Sequence, residues 1–303
     1  MITLMNETIK QLALIGPTAS GKTSLSIEIA QNMDAYILSL DSLSIYKEID
    51  IVSAKPTEQE RAGIVHFGID HLYPNEHFDV TTFVKLYQEV YQKAMSEEKN
   101  LVIVGGTSFY LKMLIEGISE LPSISKNTKE KTAQMLKELK DTYQFLYELD
   151  PRYMERISQS DRYRIEKALN IYLETGMTPS EYFKANPPAS VIHGTLPIYR
   201  IDIEREALRK RIALRTELML KEGLIDEICM LEKKYTRKPN CMKSIGIKET
   251  LDYLDGIYDK KMLAEKITTN TARLAKRQTT FNNSQFEGVI KGSVEELRKI
   301  LLS

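Results

Sequence analysis

The 303-residue sequence contains only two cysteines, Cys229 and Cys241. That is too few for a disulfide framework and has no metal-ligand spacing, so reduced thiols are expected. Long apolar runs are also missing. Stretches such as Leu12–Ile15 and Leu101–Val104 fall far short of the roughly 20 residues that cross a bilayer, so no membrane span is expected. The N-terminal Met1–Lys10 mixes polar with apolar residues and lacks the apolar stretch of a secretory signal, which points to a cytoplasmic protein. The four histidines, His66, His71, His77 and His193, are spaced by five, six and more residues. Such spacings do not share a helix face as a metal-binding pair would, so core or loop positions are their expected setting. There are no internal repeats and no low-complexity segment. Net charge is absent too, with 42 basic against 42 acidic residues.

That zero hides an asymmetry. Residues 1–117 hold 9 Lys and Arg against 15 Asp and Glu, residues 118–197 hold 11 against 11, and residues 204–283 hold 18 against 12. The C-terminal region is therefore the better source of phosphate-neutralising cations, although solvated helix faces would give the same count.

What is present is an α/β pattern. Leu12–Ile15, Tyr36–Leu40 and Leu101–Val104 are short apolar runs, each followed by a polar or glycine-rich turn and separated by helix-like segments. They read as buried parallel strands. In such a sheet the ligand crevice lies at the carboxyl ends of the strands, so Gly16, Asp41 and Gly105 are expected to converge. After Gly117 the sequence turns charged and helix-periodic up to Pro187-Pro188, which reads as an all-helical insertion over 118–197. Its clearest helix follows Ser160-Asp161, carries Ile165, Leu169 and Tyr172 on one face and ends at Gly176,. A strand over Ile198–Ile203 returns the chain to the sheet, a helical region runs from Glu204 to Asn283, and Phe286–Ile290 is expected to form a last short strand.

Gly16-Pro17-Thr18-Ala19-Ser20-Gly21-Lys22-Thr23 fits the P-loop pattern and lies between a predicted strand and an amphipathic helix, the context the motif needs. Its amides, the helix N-terminus and Lys22 together would hold a di- or triphosphate, and Thr23 would ligate magnesium. The third strand ends in Gly105-Gly106-Thr107 rather than in the acidic residue common in nucleotide hydrolases. Asp41 follows the second strand, where it could accompany magnesium, act as a general base or cap the next turn; its spacing alone does not choose.

The P-loop, Asp41-Ser42 with Tyr46, Ala54-Lys55-Pro56-Thr57, Val104-Gly105-Gly106-Thr107 with Tyr110, and Lys276-Arg277-Gln278-Thr279 occur in that order. Between them lie Asp150-Pro151, Ser160-Asp161 with Arg164, Arg211 and Arg215 on one helix, Gly223-Leu224, and Ile245-Gly246. The series resembles the tRNA dimethylallyltransferases, also called tRNA isopentenyltransferases, over nearly the whole chain. The resemblance implies a P-loop kinase-like parallel sheet flanked by helices, formed by 1–117 and 198–303 with a C-terminal helical region. It also implies that the 118–197 insertion grips the tRNA anticodon stem-loop.

By position in that family, Gly16 through Thr23 would hold the diphosphate of dimethylallyl diphosphate with Mg2+ on Thr23 and Arg215 as a second cation. Asp41 would accept a proton from the exocyclic amine of the adenosine beside the anticodon, and Thr107 would help position the base. Asp41, Ser42, Leu43, Ser44, Thr107, Lys129, Tyr163, Arg164, Lys167, Lys243, Gly246 and Lys248 would contact tRNA, with the enzyme acting as a monomer. Lys167, Lys243 and Lys248 stand where arginine is more common and Ile247 replaces a usual tyrosine, changes that keep phosphate attraction but weaken the case for bidentate or stacking contacts. The rival readings are a P-loop small-molecule kinase, a prenyltransferase using free adenylate, and an RNA-binding GTP switch. The last would be expected to show an N-K-x-D guanine signature, which is missing.

Overall fold

The computed structural model describes residues 9–303; the stretch read above as lacking a secretory signal lies, up to residue 8, outside the described residues. Among the described residues six strands form one sheet: β1 (Gln11–Ile15), β2 (Ala35–Ser39), β3 (His66–Phe67), β4 (Asn100–Gly105), β5 (Ile198–Ile201) and β6 (Ile290–Gly292), in the order β3-β2-β4-β1-β5-β6. Every pairing is parallel. The near-continuous apolar character of β1, β2 and β4 follows from burial on both faces, where Ala13, Leu14, Ile37, Leu38, Leu101 and Val102 are all inaccessible to solvent or nearly so,.

Register sets the site. Ile15 pairs with Gly105 and Ser39 with Val104, so β1, β2 and β4 end level with one another. The P-loop, Asp41 and Gly105-Gly106-Thr107 consequently leave the sheet at the same edge. The close approach there demands glycine at 105, where a Cβ would lie 2.6 Å from Leu40 Cβ and 2.9 Å from the Leu40 backbone; one on Gly106 would lie 2.5 Å from Gln278 Nε2, at the end of a flexible side chain.

The chain divides into two compact units, 1–115 with 191–303, and 116–190. The second has its own core of Leu136, Tyr143, Leu146, Met154, Ile165 and Leu169. Its helix Arg162–Thr175 is capped by Asp161, whose side chain accepts from Arg164 N, and closes on Gly176 in the left-handed region. Asp150 is buried there, its two oxygens accepting from Tyr153 N, Ser180 N and Ser180 Oγ.

Two sequence expectations change and one strand is added. β3 escapes a pattern search because it has two residues. β5 stops at Ile201, just before Asp202, whose carboxylate pairs with the Arg200 guanidinium. The last strand is Ile290–Gly292, because the preceding helix runs on to Gln285. Among the described residues no helix is long and apolar enough to cross a membrane.

Candidate active site

The P-loop leads from β1 into the Lys22–Met33 helix, whose N-cap is Gly21. Lys22 Nζ donates to Pro17 O at 2.6 Å, so the cation folds back over its own loop. Two arginines one turn apart on the Arg205–Glu222 helix reach the same loop: Arg211 Nη1 donates to Ser20 O at 3.1 Å and Arg215 Nη1 to Thr18 Oγ1 at 3.3 Å. Arg215 Nη2 also donates to Ser53 O at 3.3 Å. Ser20 is 1% exposed and its hydroxyl has no hydrogen-bond partner among the described residues. A buried orphan hydroxyl among three cations is a ready contact for an anionic oxygen.

Crowding of cations shows in their protonation. Burial, then the charge of Arg215, push the Lys22 ammonium down to about 7, with Asp41 opposing. Burial likewise lowers Arg215, again opposed by Asp41. An incoming diphosphate supplies the missing countercharge. At pH 8 its binding should therefore carry a fractional proton uptake onto Lys22, and donor affinity should fall as pH rises above about 7,. Calorimetry in buffers of different ionisation enthalpy reads that uptake; a buffer-independent heat would contradict it.

Asp41 is held by one oxygen. Its Oδ1 accepts from Leu43 N at 2.8 Å and Ser44 N at 3.1 Å, while Oδ2 has no hydrogen bond among the described residues. Thr107 N donates to Leu40 O at 3.3 Å, tying the end of β4 to the end of β2.

Two cavities open at this edge. One, of about 380 Å³, is lined by Thr18 through Thr23, Asp41 and the two arginines. His66 of β3 also borders it, with Nδ1 against Ile64 O and burial lowering its pKa. The other, of about 520 Å³, is walled by apolar groups such as Phe109, Met219, Leu274 and Phe281 together with Thr107 and Lys243. Thr18, Asp41, Ser53, Gly106, Arg215 and Gln278 border both, so the cavities share a neck.

Of the residues expected from sequence, Thr18 through Thr23, Asp41, Ser42, Leu43, Ser44, Thr107, Arg215, Lys243 and Gly246 line one cavity or both. Gly16 and Pro17 form the loop's entry. Lys248 is exposed and lines neither cavity, because it sits on the first turn of the Ile247–Leu254 helix. The neighbouring Ile247 is fully buried and presents no stacking surface. Lys129, Tyr163, Arg164 and Lys167 belong to the 116–190 unit. There Tyr163 is 65% exposed, with Lys167 Nζ 5.5 Å from its ring centre, and Arg164 pairs with Asp161 at 3.4 Å. Sequence reasoning assigned no role to Arg211 or Gln278, although the four-residue Arg211–Arg215 spacing already put both guanidinium groups on one helix face.

Among the described residues no group of three or more His, Cys, Asp or Glu could cage a metal ion. Thr23 and Asp41 nevertheless offer hydroxyl and carboxylate oxygens to the smaller cavity, a donor set that suits magnesium held mainly through a substrate's phosphates.

A family profile described as IPP transferase matches residues 44–285. The tRNA dimethylallyltransferase of Sulfurovum sp. (strain NBC37-1) is 69% identical over 298 residues, covering 98% of this chain and 99% of its own. The crystal structure of the full-length tRNA isopentenylpyrophosphate transferase from Bacillus halodurans superposes with a TM-score of 0.70 at 27% identity, covering 96% of this chain and 95% of that one. A eukaryotic dimethylallyltransferase structure shares the fold, with a TM-score of 0.81 at 24% identity over 94% of this chain and 74% of the other.

Proposed function

Because this chain belongs to the IPP transferase family, we propose that it transfers a dimethylallyl group from dimethylallyl diphosphate to the exocyclic amine of the adenosine beside the anticodon of tRNA. The observation that carries this reading is the shared neck: a cation-lined cavity and a roomier apolar one meet at Asp41 and Arg215.

The diphosphate occupies the smaller cavity, on the P-loop amides, Lys22, the free Ser20 hydroxyl and Arg215. The adenine enters the larger one after leaving its stack, since its amine is otherwise shielded. The bond from the allylic carbon to the diphosphate oxygen breaks, and its electron pair leaves with the diphosphate. The exocyclic nitrogen bonds that carbon, and its proton passes to Asp41 Oδ2. Charge builds on the leaving group as the bond breaks, so the fixed cations stabilise that moment more than the bound donor. Thr23 would hold magnesium, which would supply further stabilisation of the charge on the leaving diphosphate,. Both cavities belong to one chain, and the reading needs no second copy.

Incubation with labelled dimethylallyl diphosphate and unmodified tRNA tests this directly. Label recovered in RNA is the expected result; label entering free AMP but not tRNA would reassign the acceptor.

RNA backbone contact is assigned to Lys243 in the sheet unit and to Lys129, Arg164 and Lys167 in the helical one. Affinity for tRNA should fall steeply with salt although the chain has no net charge, because each neutralised phosphate releases counterions,. Replacing any one of the four with alanine should flatten the slope of log affinity against log salt by roughly 0.7–0.9. A salt-independent affinity, or four unchanged slopes, would remove these residues from the contact surface.

A further inference from the structure

Gln278 stands at the neck of the two cavities and borders both. It comes from the Lys260–Gln285 helix, 260 residues along the chain from the loop it touches: its Oε1 accepts from Thr18 N at 2.9 Å. Only the carboxamide oxygen can take that bond, which fixes which way the amide faces. The two hydrogens on Nε2 are therefore turned away from the loop, and among the described residues they have no hydrogen-bond partner. Nε2 lies where a Cβ on Gly106 would come within 2.5 Å, so the glycine leaves space for this amide and not for a substrate alone.

We propose that Gln278 is a further catalytic residue of the transfer, donating from Nε2 to the diphosphate oxygen that receives the electron pair as the allylic carbon–oxygen bond breaks. The inference rests on the proposed function. Gln278 keeps its protons; the carbon–oxygen pair goes to the diphosphate and the amine proton to Asp41, as above. Lys22 and Arg215 supply charge around the diphosphate, whereas the amide supplies a neutral, directed donor. Its orientation is set before the substrate arrives by the bond to Thr18 N, so it needs no reorganisation when charge develops.

Gln278→Glu separates the two ends of the side chain. The carboxylate still accepts from Thr18 N, but both donor hydrogens are gone. Single-turnover transfer should fall by roughly 10²–10³-fold, the scale for loss of one preorganised donor to a developing oxyanion. Binding of tRNA without donor should stay within about twofold, as expected of a group that acts on the leaving oxygen. Gln278→Met removes the donor without adding charge; its affinity for inorganic pyrophosphate, read by calorimetry, should fall about tenfold, as for one lost hydrogen bond to a charged group.

Near-wild-type transfer by Gln278→Glu, with Gln278→Met impaired, would overturn the proposal and leave Gln278 as a brace for the P-loop. Unchanged pyrophosphate affinity in Gln278→Met would overturn it as well. Loss of tRNA binding in Gln278→Glu would place the amide on the acceptor instead. The pyrophosphate measurement uses neither tRNA nor a prenyl donor, so it stands apart from label transfer by the unaltered enzyme, whose failure would strike the parent reading.

Discussion

Asp41→Asn should lower single-turnover transfer at saturating donor and tRNA by roughly 10²–10⁴-fold, the range for a positioned general base. Affinity for tRNA should barely move. The substitution is nearly isosteric: the asparagine Oδ1 can still accept from Leu43 N and Ser44 N, the two bonds that shape this turn. What disappears is the charge on Oδ2, the oxygen with no hydrogen bond among the described residues and the one able to accept the amine proton. A loss in the rate of the chemical step with binding intact is the signature of an interaction made in the transition state. Near-full single-turnover activity would make Asp41 a capping residue and assign the proton to water or to the departing diphosphate.

Lys22→Met should have an equally large effect on function and the opposite effect on stability. Lys22 meets both the donor and the leaving group, so donor affinity and transfer should both fall, transfer by about 10²–10³-fold as for loss of one preorganised oxyanion contact. The apoprotein should become harder to unfold. In the folded chain burial holds the ammonium at about 7, against 10.5 for a free lysine. Below pH 7 the lysine is charged in both states and the folded state bears the full cost of desolvating it. As pH rises from 7 to 10.5 the folded protein has already released the proton while the unfolded chain still binds it, so the cost fades. Thermal melts should therefore show the methionine variant gaining most at or below neutral pH and converging on the parent near pH 10. A variant less stable than the parent at neutral pH would mean that the bond to Pro17 O outweighs the desolvation,.

How far the sequence reached depended on whether a feature is local. The P-loop was legible because eight consecutive residues build it, and strand and helix on either side set its geometry. β1, β2 and β4 were legible because strands buried on both faces read as unbroken apolar runs, and Asp41 because it follows directly where one such run ends. The helix after Asp161 declared both its cap and its stop. β3 has only two residues, too few for any period, and its place beside β2 comes from pairing alone. Charge counting over 204–283 does not tell which of those cations are engaged within the protein. Several are, Lys234 with Glu48, Arg237 with Asp255 and Arg211 with Ser20 O.

The family series, the inner strands β1, β2 and β4 and the phosphate loop were thus determined by sequence, since each rests on short local runs whose backbone preferences and burial leave a pattern. Tertiary structure alone decided that Arg211 and Gln278 meet the loop beside Arg215, which the family resemblance had already set on the diphosphate. Arg211, Arg215 and Gln278 arrive from helices that lie 191, 197 and 260 residues away from the residues they touch. No periodicity encodes where a distant helix will set its side chains. That is fixed by packing on the sheet, where two helices and the level ends of β1, β2 and β4 bring Arg215, Gln278 and Gly106 to one neck and Arg211 to the smaller cavity beside it.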